Sequence, residues 1–291
     1  MPGDKVKIIE CPRDAMQGIH NFIPTETKVK YINSLLKIGF DTIDFGSFVS
    51  PKAIPQLKDS NEVLSGLDLN ETKTKLLAII ANIRGAEDAV NYNEITYLGF
   101  PFSISETFQK RNTNSTIEQS LSTVEAIQNL CQKNNKQLVI YISMAFGNPY
   151  GDKWNSDIAI NWINKIAQME IKIIALADTV GIASDEEVGK MFGNLIPSFS
   201  EIEFGAHLHC KADNWHKKVN AAWENGCRRF DAAIKGFGGC PMAEDELVGN
   251  LATENLIQYL EEKNVETGIN KMRFNEALQS AGSVFAVEYT N

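Results

Sequence analysis

Two histidines separated by one residue, His207 and His209, end an apolar run that is typical of a β-strand. Side chains at positions i and i+2 of a strand leave the same face, so the two imidazoles can approach one atom together. Two of the 4 histidines of the chain lie at this strand end. With carboxylate or amide oxygens nearby, the pair would bind a divalent cation such as Mg²⁺, Mn²⁺ or Zn²⁺. The alternative is a pair of strand histidines held by ordinary hydrogen bonds.

Other polar residues follow apolar runs at widely separated positions. They are Arg13, Asp14 and Gln17 with the first run, Asp44 and Ser47 with the second, Ser143 with the fifth, Asp178 and Thr179 with the sixth, and Cys240 and Asn250 beyond the last. Asp44 lies within a run that predicts a strand buried on both faces, and a buried carboxylate needs a partner. These residues form one site if the ends of the strands converge.

Eight short apolar runs predict eight strands. They cover residues 6–11, 41–46, 75–82, 94–100, 137–144, 171–177, 202–209 and 228–234. Short apolar runs rich in β-branched residues indicate parallel strands that are buried on both faces. Helix-like segments alternate with them, which favours an α/β fold of the closed (β/α)8 TIM type. An open doubly wound sheet is the alternative, but no GxGxxG motif follows the first run.

The helices between the strands carry recognisable boundary signals. The segment 24–39 begins with Pro and Thr and ends at Gly39. Ser115 and Glu118 have the spacing of a capping box at the start of another helix. We expect one barrel domain over residues 1–291, in which residues 264–291 form a short C-terminal helical extension. The active sites of such barrels lie at the C-terminal ends of the strands, where the polar residues fall.

Composition excludes several classes of function. The 291 residues are 43% hydrophobic and carry a net charge of -9. The chain has neither a basic patch with interleaved aromatic residues nor an apolar run of the roughly 20 residues that a bilayer requires. We therefore expect no nucleic-acid partner and no membrane span, and a strand-like N-terminus without a leader predicts a cytoplasmic protein. The 5 cysteines are scattered without a CxxC pair, which predicts reduced thiols.

Several motifs resemble those of the 3-hydroxy-3-methylglutaryl-CoA lyases, within a larger group of metal-dependent barrel lyases and acyltransferases. The motifs are PRDAMQ, GFDTIDFGSFVSPKAIPQ, YISMAFGNPYG, ADTVGIA, HLH, GFGGCPMA and GNLATENLIQYLEEKNVETGI. The resemblance runs nearly end to end, and SFVSPK, GFGGCP and GNLATE are its most specific parts. It implies a TIM-type barrel, in agreement with the count of strands.

The resemblance also implies roles for the residues at the strand ends. Asp14, His207, His209 and Asn250 would bind the metal, Mg²⁺ or Mn²⁺; Arg13 and Gln17 would stabilise an enolate; Asp44, His207 and Cys240 would serve catalysis; Ser47 and Asp178 would lie beside the substrate. The reaction implied is cleavage of hydroxymethylglutaryl-CoA to acetyl-CoA and acetoacetate, a step of leucine degradation. We expect an acyl-CoA substrate and a homodimer.

Departures from the family pattern leave the acyl group open. Asp44 stands where the family usually has glutamate, and CKADN follows His209 where the family usually has DTYGQ. One alternative is a related barrel lyase that acts on a different 3-hydroxyacyl-CoA. A second is a condensing enzyme that joins acetyl-CoA to a 2-oxo acid, although the short region after Gly238 favours the lyase. A third is a barrel that binds a ligand without catalysis, which the retained polar residues disfavour.

Overall fold

Eight parallel strands close into a barrel in the computed structural model, which describes residues 5–239 and 248–285. The strands are β1 (Lys7–Glu10), β2 (Thr42–Ser47), β3 (Lys75–Ile79), β4 (Ile95–Ser103), β5 (Gln137–Ser143), β6 (Ile173–Asp178), β7 (Glu203–Leu208) and β8 (Arg229–Ala232). Each strand pairs with the next one along the chain, and β8 pairs with β1. The sequence prediction of a (β/α)8 barrel is confirmed.

Helices follow the strands and surround the barrel. They are α1 (Pro12–Gln17), α2 (Thr25–Leu35), α3 (Ser60–Ser65), α4 (Ile83–Ala89), α5 (Glu106–Thr113), α6 (Ile117–Lys133), α7 (Ser156–Ala167), α8 (Asp185–Ser198), α9 (Trp215–Glu224), α10 (Thr253–Glu262) and α11 (Lys271–Phe285). Short 3₁₀ helices lie at Pro55–Leu57 and Ile234–Gly236. The last helix, α11, lies within the predicted C-terminal extension and packs on α2 through an edge contact between Tyr31 and Phe285, with ring centroids 5.7 Å apart.

The barrel has two separate apolar regions, one inside the sheet and one between the sheet and the helices. The inner region consists of Leu77, Ile79, Tyr97, Val139, Tyr141, Ile173 and Ala175, all of them buried. The outer region is much larger and contains the apolar faces of the helices. Strands covered on both faces explain why the sequence shows continuous apolar runs instead of alternation.

One predicted helix start differs from the structure by a residue. The capping box of α6 is formed by Thr116 and Gln119, each accepting a hydrogen bond from the other's backbone N–H. Ser115 does not cap the helix because its hydroxyl lies 2.7 Å from the hydroxyl of Thr113. The prediction of Ser115 and Glu118 was wrong because two overlapping pairs satisfy the same spacing rule.

Within the two described ranges, no helix is both long enough and apolar enough to cross a bilayer.

A buried carboxylate joins the end of β1 to the start of α10. Glu10 is 1% exposed, and it accepts hydrogen bonds from the backbone N–H of Ile234 at 2.9 Å and from the hydroxyl of Thr253 at 2.6 Å. Burial raises the pKa of Glu10 from 4.5 to about 8, and the two hydrogen bonds counteract only part of this rise. Folding therefore takes up a proton at Glu10 near neutral pH.

Substituting Glu10→Gln should remove one source of pH dependence from the stability. The folded wild type binds more protons than the unfolded chain between pH 4.5 and about 8, so its stability falls as the pH rises through this window. We expect urea unfolding at a series of pH values to give a steeper loss for the wild type than for Glu10→Gln. Parallel curves for the two proteins would contradict the prediction.

Candidate active site

One cavity opens at the carboxyl ends of the strands. Its polar lining comprises Arg13, Asp14, Gln17, Asn112, Tyr141, Ser143, Thr179, His207 and His209, and its apolar lining comprises Val49, Ala53, Ile54, Ile79, Ala81, Pro101, Phe108 and Ala177. Barrel closure thus gathers residues from distant parts of the sequence at one mouth, as the strand ends predicted.

Arg13 is the centre of a buried charged cluster at the end of β1. Its Nε and Nη2 donate to the Asp44 carboxylate on β2, at 2.9 and 2.6 Å. Its Nη1 donates to Asp14 at 2.9 Å and to the side-chain oxygen of Gln17 at 2.8 Å. Asp14 and Gln17 share the first helix with Arg13, so the short helix α1 and the neighbouring strand fix the guanidinium.

The charges in this cluster support one another at neutral pH. Burial opposes the charge of Arg13, but the carboxylates of Asp44 and Asp14 outweigh it and raise the pKa of Arg13. Burial raises the pKa of Asp44 to about 6, with the charge of Arg13 limiting the rise. Burial also acts against the charge of Asp14, yet the positive charge of Arg13, together with smaller contributions that include the hydrogen bond from Asn250, outweighs it and lowers the pKa of Asp14.

Both histidines are held through their Nδ1 atoms. His207 Nδ1 lies 3.1 Å from Oδ2 of Asp231, and His209 Nδ1 lies 2.9 Å from the backbone oxygen of Val248. Because each partner is an acceptor, each neutral ring carries its proton on Nδ1 and presents a lone pair on Nε2. The two Nε2 atoms are only 3.4 Å apart. Two lone pairs at this separation repel each other unless a proton or a cation lies between them.

The pKa values of the two rings shift in opposite directions. Burial, together with the charge of His207, lowers the pKa of His209 to about 4, so this ring is neutral at neutral pH. Burial also acts against a charge on His207, but the hydrogen bond to Asp231 and the charge of that carboxylate outweigh it and raise the pKa of His207.

Asp14 completes a set of ligand atoms that suits a divalent cation. One carboxylate oxygen of Asp14 and one nitrogen each of His207 and His209 all lie within 4.8 Å of one another. Asn250 lies beside them and donates from Nδ2 to Asp14 at 2.7 Å. Two imidazoles with a carboxylate form a mixed nitrogen and oxygen donor set that Mg²⁺, Mn²⁺ and Zn²⁺ all accept. The donor set therefore fits the metal that the sequence predicted.

The glycine-rich segment before Cys240 packs directly against this group. Gly238 has a φ of 98°, and a Cβ at this position would lie 2.7 Å from Nδ2 of Asn250 and 2.9 Å from the backbone oxygen of Asp14. Only glycine allows the chain to pass so close to both residues. Cys240, the predicted catalytic thiol, lies outside the described residues.

Two residues predicted to contact the substrate have other partners. The Asp178 carboxylate accepts hydrogen bonds from Lys218 Nζ at 2.6 Å and from the backbone N–H of Ala183 at 3.1 Å. The Ser47 hydroxyl donates to the backbone oxygen of Ile79 at 3.3 Å. Neither side chain belongs to the cavity lining. Strand side chains alternate, so the neighbours of Asp178, Ala177 and Thr179, face the cavity instead.

Sequence reasoning missed two buried residues that hold the histidines. Asp231 binds the ring of His207, and Lys218 donates to the backbone oxygen of His209 at 3.2 Å in addition to its ion pair with Asp178. Asp231 carried a readable signal, since it is a carboxylate within a strand predicted to be buried, as Asp44 is. Lys218 lies on α9, where its sequence context resembles that of a solvent-exposed lysine.

A parallel barrel that gathers a carboxylate and two imidazoles at the carboxyl ends of its strands has the architecture of a metal-dependent barrel enzyme. A model of the HMGL-like family matches residues 5–280. The chain therefore belongs to the HMGL-like family, and the family resemblance predicted from its motifs is confirmed.

Relatives with known names share most of its length. The chain is 34% identical over 279 residues to mitochondrial hydroxymethylglutaryl-CoA lyase of Pongo abelii, an alignment that covers 94% of this chain and 83% of the relative. It is 32% identical over 268 residues to hydroxymethylglutaryl-CoA lyase YngG of Bacillus subtilis, covering 91% of this chain and 88% of the relative.

A solved structure extends this similarity to the fold. The HMG-CoA lyase from Acinetobacter baumannii, in complex with coenzyme A and 3-methylmalate, matches with a TM-score of 0.91 and 31% identity. The alignment covers 98% of this chain and 93% of that chain.

The histidine pair gives a direct prediction for metal binding. We expect the protein, after dialysis against EDTA, to bind one Mn²⁺ per chain in calorimetry, because the two facing Nε2 lone pairs and Asp14 favour a cation. His209→Ala removes one of these ligands and should weaken binding more than the roughly 10–100-fold loss that follows removal of an outer partner. His20→Ala, at an exposed histidine, is the matched control and should leave affinity unchanged. Equal Mn²⁺ affinities for all three proteins would refute the site.

Proposed function

We propose that the protein cleaves 3-hydroxy-3-methylglutaryl-CoA to acetyl-CoA and acetoacetate. The observation that carries this proposal is the position of the Arg13 guanidinium, which lies in one cavity with the carboxylate of Asp14 and the imidazoles of His207 and His209. Relatives named for this reaction, similar over more than nine-tenths of the chain, support it.

We further propose that Asp14, His207, His209 and Asn250 hold a divalent cation, with Mg²⁺ and Mn²⁺ as first choices. The chemistry that such a cation would supply is polarisation of the substrate's tertiary hydroxyl group, whose pKa would fall. Asn250 already binds Asp14, and its amide oxygen can serve as a further ligand. The Nδ1 of His207 is bound to Asp231, so only Nε2 faces the cavity. This arrangement favours the ligand role of His207 over the predicted role in proton transfer.

Arg13 stabilises the charge that develops when the carbon–carbon bond breaks. As the hydroxyl group loses its proton and becomes the ketone of acetoacetate, electrons from that bond move onto the thioester, which becomes an enolate with a negatively charged oxygen. A proton then added to the enolate carbon gives acetyl-CoA. The described contacts of Arg13 use one N–H on Nε, two on Nη1 and one on Nη2, so one N–H on Nη2 remains for that oxygen. Asp44 holds the guanidinium along its Nε and Nη2 edge, and we assign it the role of positioning Arg13.

The apolar side of the cavity supports an acyl thioester as the substrate. Val49, Ala53 and Ile54 follow β2 and form part of this wall, and Phe108 of α5 contributes another part. Such a surface suits the methyl group and the methylene carbons of a short acyl chain. The coenzyme A bound to the Acinetobacter baumannii relative is consistent with this assignment.

The remaining elements of the proposal come from the family resemblance. Cys240 would close over the substrate, and Ser47 and Asp178 would shape the site behind the residues that line the cavity. We also retain a homodimer, a cytoplasmic location and a role in leucine degradation.

A product analysis tests the function. The protein loaded with Mg²⁺ or Mn²⁺ should convert hydroxymethylglutaryl-CoA to equal amounts of acetyl-CoA and acetoacetate. Mass spectrometry of the reaction mixture measures both products. Larger 3-hydroxyacyl-CoA homologues and a mixture of acetyl-CoA with 2-oxo acids serve as competing substrates. Preferred cleavage of a homologue, or condensation of the mixture, would replace the proposed reaction by one of the alternatives.

Substituting Arg13→Met should lower kcat far more than it raises KM, because the guanidinium meets charge that exists only as the bond breaks. The loss of one such group typically costs about 10²–10³ in kcat. Arg13→Lys keeps the charge and should retain more of kcat, while Arg273→Met, at an exposed arginine on α11, should match the wild type. If the whole defect of folded Arg13→Met appeared in KM, the residue would only anchor the substrate.

A further inference from the structure

Asp231 lies inside the barrel, directly beside His207. The two residues are register partners in neighbouring strands β7 and β8, and Oδ2 of Asp231 lies 3.1 Å from Nδ1 of His207. The carboxylate is 2% exposed, so its charge is largely withdrawn from water. A buried carboxylate of this kind persists only where it has a partner and a role.

The other groups around Asp231 complete a polar cluster within the barrel. Arg229 precedes Asp231 by two residues on β8, so both side chains leave the same face of the strand. Arg229 is 0% exposed, and its Nε and Nη2 have no hydrogen-bond partner among the described residues. The same holds for Oδ1 of Asp231 and for the hydroxyl of Tyr141, whose ring contacts His207 edge-on at 5.6 Å.

The backbone opposite makes room for this arginine. A Cβ at Gly205 would lie 3.0 Å from Cδ of Arg229, so the arginine side chain lies against the bare backbone of β7. Nη1 of Arg229 reaches Glu203 at 3.2 Å, which anchors the far end of the guanidinium. The barrel interior therefore keeps a positive charge beneath the carboxylate that binds His207.

We propose that Asp231 is a positioning residue that fixes the tautomer and the direction of His207. By accepting a hydrogen bond from Nδ1–H, it places the lone pair on Nε2, where His209 and Asp14 converge. Arg229, two residues earlier on the same face of β8, supplies a positive charge on that side of the strand. This inference rests on the cation site of the proposed function, because a ring with its proton on Nε2 cannot bind a cation there.

The two histidines also differ in the partner of Nδ1. The backbone oxygen of Val248 orients His209 without adding a full charge. The carboxylate of Asp231 adds a full negative charge to the ring of His207, which makes Nε2 a better electron donor. Outer partners of this type typically contribute 10–100-fold to metal affinity.

Two variants and two measurements test the proposal. Asp231→Ala removes the partner of Nδ1, and Asp231→Asn keeps the shape of the side chain while removing its charge. Both should bind Mn²⁺ about 10–100-fold more weakly in titrations followed by electron paramagnetic resonance. Glu10→Gln is the matched control, since it replaces an equally buried acidic side chain at the end of β1 by its amide without touching a histidine, and its Mn²⁺ affinity should equal that of the wild type.

The second measurement reads the tautomer directly. The chain has only 4 histidines, so ¹⁵N spectra of histidine-labelled protein should resolve the ring of His207. Without added metal, the neutral ring should carry its proton on Nδ1 in the wild type and shift toward Nε2–H in Asp231→Ala. If Asp231→Ala does not fold, the wild-type spectrum tests the tautomer, and the Mn²⁺ affinity of Asp231→Asn tests the role of the carboxylate.

Each outcome separates this inference from the proposed function. Unchanged Mn²⁺ affinity in a folded Asp231 variant, or an Nε2–H tautomer in the wild type, would overturn the positioning role alone. A wild type that binds no Mn²⁺ would overturn the cation site and the inference with it. Weakened Mn²⁺ binding in the variants, in a protein that does not cleave hydroxymethylglutaryl-CoA, would support the inference and refute the reaction.

Discussion

The site depends on one directional constraint, namely that both histidines at the end of β7 are tied through Nδ1. Asp231 holds His207 and the backbone oxygen of Val248 holds His209, so neither ring can turn away. The two Nε2 atoms consequently face each other at 3.4 Å, with Asp14 close by. Three electron-rich groups brought together in a largely buried place are costly on their own, and the proposed divalent cation would convert this repulsion into binding.

A second set of contacts supplies the opposite charge in the same cavity. Arg13 is 8% exposed, and burying its guanidinium would be expensive without the carboxylates of Asp44 and Asp14. Asp14 belongs to both sets, since it accepts hydrogen bonds from Arg13 and lies beside the histidines. One residue on α1 therefore fixes the distance between the Arg13 guanidinium and the position proposed for the cation.

The sequence predicted the barrel well because the strands depend on local composition, which the apolar runs record. It also predicted which strand ends meet, because barrel geometry brings all of them to one mouth. It failed where the direction of a side chain depends on register. Asp178 was expected beside the substrate, but its neighbours Ala177 and Thr179 face the cavity while Asp178 binds Lys218. The sequence marks Asp231 as a carboxylate in a buried strand, but its partnership with His207 follows from the pairing of β7 with β8, which no local pattern encodes.

The central claim is that a divalent cation lies between Asp14, His207 and His209. Crystals of the protein soaked in Mn²⁺ test it directly, through anomalous scattering measured near the manganese absorption edge. The account predicts one strong peak bound to both Nε2 atoms and to a carboxylate oxygen of Asp14, at ligand distances of about 2.0–2.2 Å. An anomalous map without a peak there, with the two rings still facing each other, would contradict it.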